Sequence, residues 1–153
     1  MIEYKQQYYP IPISTIEGVV RLEIEVFEHW KKSFEEEVQR ITERLERKYN
    51  VLVCTAEHNG VIIGFKIGYE DREHTYYSWL GCVSTLYRKQ GIATELMRMQ
   101  HIWCKEAGYK YVTTNTRNEF KSMLLLNLKN GFEISGTLHD HHGRLKIELM
   151  KIL

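Results

Sequence analysis

The chain has 153 residues, of which 43% are hydrophobic and 27% charged, and its net charge is +1. That is one ordinary domain with enough apolar material for a core. No apolar run reaches the ~20 residues of a membrane helix, and a near-neutral chain without a recognition motif gives no reason to expect nucleic acid. Three widely spaced cysteines, Cys54, Cys82 and Cys104, with no Cys-x-x-Cys pair argue against both a disulfide framework and a thiolate metal site. The start, Met1 to Lys5, lacks the basic stretch and apolar run of a secretory signal, so the expected location is the cytoplasm.

In chain order, residues 2–9 read as a short polar strand ended by Pro10-Ile11-Pro12. Ser14 is the expected cap of a first helix that places Ile16, Val20, Ile24 and Phe27 on one face. A second helix is expected from Ser33, with Phe34, Val38, Ile41 and Leu45 as its buried stripe. Its exposed side would carry the pairs Glu36/Arg40 and Glu43/Arg47. From residue 51 the period changes to two. Residues 51–57 form a strand, Asn59-Gly60 a tight hairpin turn, and residues 61–70 a second alternating strand. Residues 74–83 are a third, aromatic-rich strand. A helix over 91–107 stops at Gly108. It is followed by a strand at 110–116, a helix at 118–129, a strand at 132–138 and a last alternating strand around Leu145, Ile147 and Leu149. The order β-αα-βββ-α-β-α-ββ calls for an α/β (α+β) fold: a mixed sheet covered by helices.

The segment most informative about chemistry runs from Val83 to Thr94. A strand ends, a loop turns, and a helix starts at Gly91 with no acid before Glu95. The exposed N–H groups and positive dipole end of such a helix suit a phosphate. Gly91 and Ala93 keep bulk away, and Arg88 and Lys89 add positive charge. The pattern is neither a dinucleotide fingerprint nor a nucleotide P-loop. On spacing alone it equally fits an ordinary strand-to-helix turn.

Arg88-x-x-Gly91-x-Ala93 resembles the Arg/Gln-x-x-Gly-x-Gly/Ala motif of the GCN5-related N-acetyltransferases (GNAT). Val83, Tyr87, the helix end at Ala107-Gly108-Tyr109, and Asn118, Met123, Asn127 and Gly131-Phe132 also resemble that family. The likeness is strongest over 74–136 and topological over the first 50 residues. It implies a mostly antiparallel sheet of six to seven strands flanked by four helices, with acetyl-CoA as cosubstrate and no metal. It also implies backbone pairing of the pantetheine arm, and an oxyanion donor, at Gly81, Cys82 and Val83. Pyrophosphate would lie on the amides of Lys89, Gln90, Gly91, Ile92, Ala93 and Thr94, beside Arg88, with Asn118 reaching the cofactor from the next helix.

The chain departs from the family twice. Tyr77 stands where a catalytic glutamate is common, with no carboxylate between His74 and Val83. Asn127 stands where a tyrosine proton donor is common. Asparagine can donate a hydrogen bond to sulfur but cannot give up a proton. A lysine-like amine is unprotonated in only ~0.04% of molecules at pH 7, so a base is wanted. The substitutes are Glu73 and its neighbours Glu70, Asp71 and His74, or Tyr76 and Tyr77 ordering water; each carboxylate reads equally as hairpin charge. Cys82 reads as packing. The cluster His139-Asp140-His141-His142 reads as a polar turn, a border of the substrate mouth or a metal site. His29-Trp30 reads as acceptor lining or core.

The expected function is direct transfer of an acetyl group from acetyl-CoA to a primary amine. The alternative is an acyl-CoA-binding module without turnover. Residues 17–46 hold nine acids against five bases, and with Glu70, Asp71 and Glu73 they suggest a cationic acceptor. Neither the acceptor nor the oligomeric state, a dimer included, is set by the sequence.

Overall fold

The hairpin at Asn59-Gly60 sets the register of the first half of the protein. Both residues take positive φ, 51° and 77°, as a two-residue I′-type turn requires. The turn joins β2 (Leu52–His58) to β3 (Val61–Arg72), and β1 (Ile2–Tyr8) pairs with the other side of β2. With β4 (Thr75–Val83), β5 (Tyr111–Thr116), β6 (Glu133–His139) and β7 (Leu145–Ile152) they make one seven-stranded sheet of order β1-β2-β3-β4-β5-β7-β6. Every pairing is antiparallel except β4 with β5. This is the expected mixed α/β fold in the expected element order. The computed structural model describes residues 1–27 and 31–153.

Alternation along β2 and β3 sorts the core into two halves. Val51, Val53, Phe65, Ile67 and Tyr69 face α1 (Ile13–Val26) and α2 (Phe34–Glu46). Leu52, Cys54 and Ala56 face α3 (Ile92–Glu106), and α4 (Lys121–Lys129) adds Leu124 and Leu126 on that side. β3 is unusual in presenting Gly64, Lys66 and Gly68 to α3. A Cβ at Gly64 would come within 3.0 Å of Ile92, and one at Gly68 within 2.8 Å of Gln100. The glycines let α3 lie close on the sheet, which fixes where its N-terminus points.

Several boundaries differ from the sequence expectation. Pro12, not Ser14, is the N-cap of α1, and its carbonyl accepts from Thr15 and Ile16. With φ already set by its ring, proline starts the turn early. Ile24 is 39% exposed, whereas Val19, Leu22 and Glu23 are buried. Steps of four residues drift off a face that advances 100° per residue. Ser33 does cap α2, accepting from Glu36 N–H at 3.1 Å. Arg40 turns to Glu37 instead of Glu36, and Glu43 accepts from Gln39. α4 begins at Lys121 rather than 118, because Arg117 to Phe120 closes a turn of its own.

Candidate functional site

β4 and β5 run parallel for four residue pairs only, Thr75–Ser78 against Tyr111–Thr114. Beyond Ser78 the two strands part. A bulge helps: Ile67 pairs with Leu80 and Gly68 with Ser78, so Trp79 is an extra residue on β4. A bulge bends its strand and raises local twist. The consequence is that Leu80 to Val83 remain paired to β3 on one side and, like Trp79, have no strand on the other. That edge carries free backbone donors and acceptors, Gly81, Cys82 and Val83 among them. The narrow cleft beside it is lined by Lys66, Gly81, Val83 and Leu96, with Met123 and Leu126 of α4 across from them.

At the mouth of the cleft β4 runs through a short 3-10 turn, Thr85–Tyr87, into α3. Ser84 ties this turn down: its hydroxyl donates to Glu25 at 2.8 Å and accepts from Leu86 N–H at 3.3 Å. Lys89 (φ 63°) and Gly91 (φ 78°) are both left-handed, a conformation that coils successive N–H groups toward one point. Gly91 is the N-cap of α3 and supplies no side-chain cap. The first amides of the helix therefore lack an internal acceptor until Glu95 N–H reaches the Gly91 carbonyl. A Cβ at Gly91 would meet nothing within 4 Å. Arg88, Lys89, Gln90 and Thr94 are exposed, while Ile92 is buried against the sheet and offers only its N–H. This open, cationic cradle has the chemistry to receive a pyrophosphate, and the free β4 edge that of an extended amide chain.

The sequence-derived catalytic residues stand on three different elements. Tyr77 lies where the strands part. Its hydroxyl accepts from Asn115 at 3.3 Å, and burial pushes the phenol up to about 12, so it is neutral at pH 7. Asn127 is buried on α4, its carbonyl accepting from Phe132 N–H at 3.0 Å. Glu73 is in the β3–β4 turn, its side chain 89% exposed and next to His74. The turn lies at the other end of β4 from Val83, about 13 Å of strand before Trp79. Glu70 accepts from the Tyr109 hydroxyl. Asn118 is exposed in the turn before α4, outside the helix. Burial pushes the Cys82 thiol well up, leaving it protonated. Asp140 spends its carboxylate within its own loop, on the N–H groups of His142 and Arg144 and on the Arg144 guanidinium. Among the described residues no three His, Cys, Asp or Glu side chains are grouped to hold a metal. His29-Trp30 lies outside the described residues.

One titratable group on the α1–α2 side of the sheet was missed. Glu23 is 3% exposed on α1. Burial first, then the neighbouring Glu37, pushes its carboxyl up to about 8. Once ionised, it adds to the burial that raises the Cys82 thiol on β4. Glu37 is fully buried, and burial works to raise it too. The Arg40 guanidinium, donating two hydrogen bonds at 2.6 and 2.8 Å, outweighs that and holds it below the usual range. The signal was present in the sequence: Glu23 continues the apolar spacing Ile16, Val19/Val20, Glu23.

A family profile described as "Acetyltransferase (GNAT) family" matches residues 17–132. The chain belongs to that family. Among solved structures, it is similar to an IAA acetyltransferase from Bacillus cereus (22% identity, 99% of this chain and 100% of that one, TM-score 0.74). It is also similar to the ribosomal-protein-S18-alanine N-acetyltransferase of Escherichia coli (14%, 98% and 94%, TM-score 0.75). A third likeness is to an acetyltransferase from Bacillus anthracis solved with acetyl coenzyme A (21%, 70% and 65%, TM-score 0.63). No protein of curated function is matched by sequence. No helix among the described residues is long and apolar enough to cross a membrane.

Proposed function

We propose that this GNAT chain transfers an acetyl group from acetyl-CoA to a primary amine, by direct attack in a ternary complex. The observation that carries the reading is the free β4 edge, Trp79 to Val83, running straight into the open amides of the β4–α3 cradle. Coenzyme A needs both: hydrogen-bonding edges for its amide-containing arm and N–H groups with positive charge for its phosphates. Gly81, Cys82 and Val83 would hold the arm and one of their N–H groups the thioester oxygen. Lys89 to Thr94 would hold the pyrophosphate beside Arg88.

When bound, the thioester supplies an activated acyl group; the chain's own residues position the amine and manage protons. Tyr77, neutral and turned toward Asn115, orders polar groups where the strands part. Glu23, its carboxyl raised to about 8, keeps its proton at pH 7, so the proton of the attacking amine leaves through solvent. Asn127 and Glu73 have less support in this role, the first without a proton to give and the second far along β4.

The acceptor is proposed only as a primary amine, because six of the nine acids counted over residues 17–46 are not free charge on the cleft. Glu23 is held protonated and Glu37 is paired with Arg40. Glu17, Glu35, Glu43 and Glu46 line a groove on the exposed side of α1 and α2. Arg40 and Arg44 stack on Trp79 itself, 5.2 and 4.7 Å from its ring centre. An amine panel assayed for thiol release from acetyl-CoA tests the reading. Amine-dependent release of free CoA is expected; tight acetyl-CoA binding with no release on any amine would favour the binding-module alternative.

A further inference from the structure

Lys66 is a cation set in the wall of the cleft with no counter-ion among the described residues. It stands on β3 between Gly64 and Gly68, opposite Cys54 of β2 and Gly81 of β4, and lines the cleft with Val83, Leu96 and Met123. Gly81 leaves room for its stem: a Cβ there would be 3.6 Å from the Lys66 Cγ. Lys66 is half-buried, its Nζ not shut off from solvent, and the protein packed around it lowers the amine from 10.5 to about 8.

The groups around it offer no negative charge. On β2, Cys54 is a buried thiol pushed up to about 12. On α3, His101 is driven down to about 3 by burial and then by Lys151 and Lys66, so it is neutral at pH 7. Lys151, on β7, lies 3.2 Å from His101 Nδ1 and is a second cation. Gln100 is fully buried with neither end of its amide partnered, and His101, 8% exposed, has an unpartnered Nε2. α4 brings the apolar Met123 and Leu126. Among the described residues none gives the Lys66 ammonium a hydrogen bond or an ion pair. A half-buried cation surrounded by neutral and cationic groups, in the wall of a cleft, is a favourable place for an anion to arrive.

Acyl transfer from a thioester generates one anion in this cleft at every turnover, the leaving thiolate. Asn127, buried on α4, cannot protonate it, since a carboxamide has no proton to give. We propose that Lys66 faces the coenzyme A sulfur, stabilises the thiolate as the C–S bond breaks, and gives it the proton with which CoA leaves. The electron pair of that bond goes to sulfur, and a proton passes from Lys66 Nζ to sulfur. The attacking amine loses a proton to solvent, and Nζ recovers one from solvent. The match is close: a lysine at about 8 against a thiol at ~8.5 makes the transfer nearly balanced.

The proposal rests on the acyl-CoA reading above, and its test separates the two. The ionisation of bound CoA is followed through the ultraviolet absorbance of its thiolate as pH is raised. The thioether S-methyl-CoA serves as a ligand that cannot ionise. In the wild-type complex the thiol is expected to ionise at least one pH unit below ~8.5. In Lys66→Gln it should ionise at or above the free value, with S-methyl-CoA affinity changed less than threefold. Lys66→Arg should keep the lowered value, since the charge remains. An unshifted thiol in the wild-type complex overturns the proposal whether or not the variants fold; so does a lowered value that survives Lys66→Gln. Failure of the wild type to bind S-methyl-CoA or CoA would overturn the acyl-CoA reading, and this proposal with it.

Discussion

Glu23 shows how one buried carboxyl makes stability depend on pH. An ordinary glutamate ionises near 4.5; here burial and Glu37 raise that to about 8. The folded state therefore binds this proton more tightly than the unfolded state does. Its contribution is complete below 4.5 and is lost as pH rises through 8, at up to ~1.4 kcal/mol per pH unit. Glu37, held low by Arg40, acts in the opposite sense and only below its ordinary value. The melting temperature should fall between pH 5 and 8, and Glu23→Gln, which keeps the shape without the charge, should flatten that fall. An unchanged slope in the variant would assign it to other groups. Gly91 gives a second test at this scale. With φ at 78° and open space where a Cβ would stand, Gly91→Ala should cost ~1 kcal/mol of stability through backbone strain and little acetyl-CoA affinity. Gly91→Glu should weaken that affinity by ~3 kcal/mol or more, because it puts negative charge where phosphate belongs. Calorimetry that finds the two variants alike in affinity would remove the cradle from the site.

At the scale of elements, most of the fold was legible in the sequence, because each strand and helix announced itself by its period. The Asn59-Gly60 turn, the alternation of β3 and the stop at Gly108 all appear as read. What was illegible depends on contacts between elements. The bulge at Trp79 exists because β3 and β4 fall out of step, and nothing within β4 alone reports that. The late start of α4 is set by the turn that Arg117 and Phe120 close, which displaces Asn118 from the helix. Lys66 read as the polar half of an alternating strand and proves to face α3. The close seat of α3 on β3 is testable. A Cβ on Gly68 would sit 2.4 Å from Tyr76 Cε2 and 2.9 Å from the Tyr77 carbonyl, and a backbone oxygen cannot swing aside. Gly68→Ala should destabilise the protein by ~1–3 kcal/mol, seen as a lower urea midpoint at unchanged slope. On α4, Asn127→Ala should cost no more than a hydrogen bond, ~1 kcal/mol or about fivefold in turnover. A thousandfold loss would show that Asn127 does more than make one hydrogen bond.

Over the whole molecule, charge divides along the chain. Residues 1–80 hold 10 Lys/Arg against 14 Asp/Glu, and residues 81–153 hold 11 against 6. In three dimensions the two halves do not contribute alike. The basic surplus includes Arg88 and Lys89, both exposed on the loop that leads into α3, where an anionic ligand meets them through solvent. The acidic surplus is largely spent elsewhere: Glu23 protonated, Glu37 on Arg40, and four acids in the outer α1–α2 groove. Salt should therefore act on one ligand and not the other. Acetyl-CoA affinity should fall steadily as ionic strength rises, since exposed charges are screened beyond ~10 Å at 0.1 M. Replacing both Arg88 and Lys89 with glutamine should flatten that dependence. The kcat/KM of a cationic amine, measured at saturating acetyl-CoA, should follow salt no more steeply than that of a neutral amine of similar size. If the cationic amine alone is strongly weakened by salt, the free acids do steer the acceptor, and the pairing of Glu37 with Arg40 matters less to the cleft than the geometry implies.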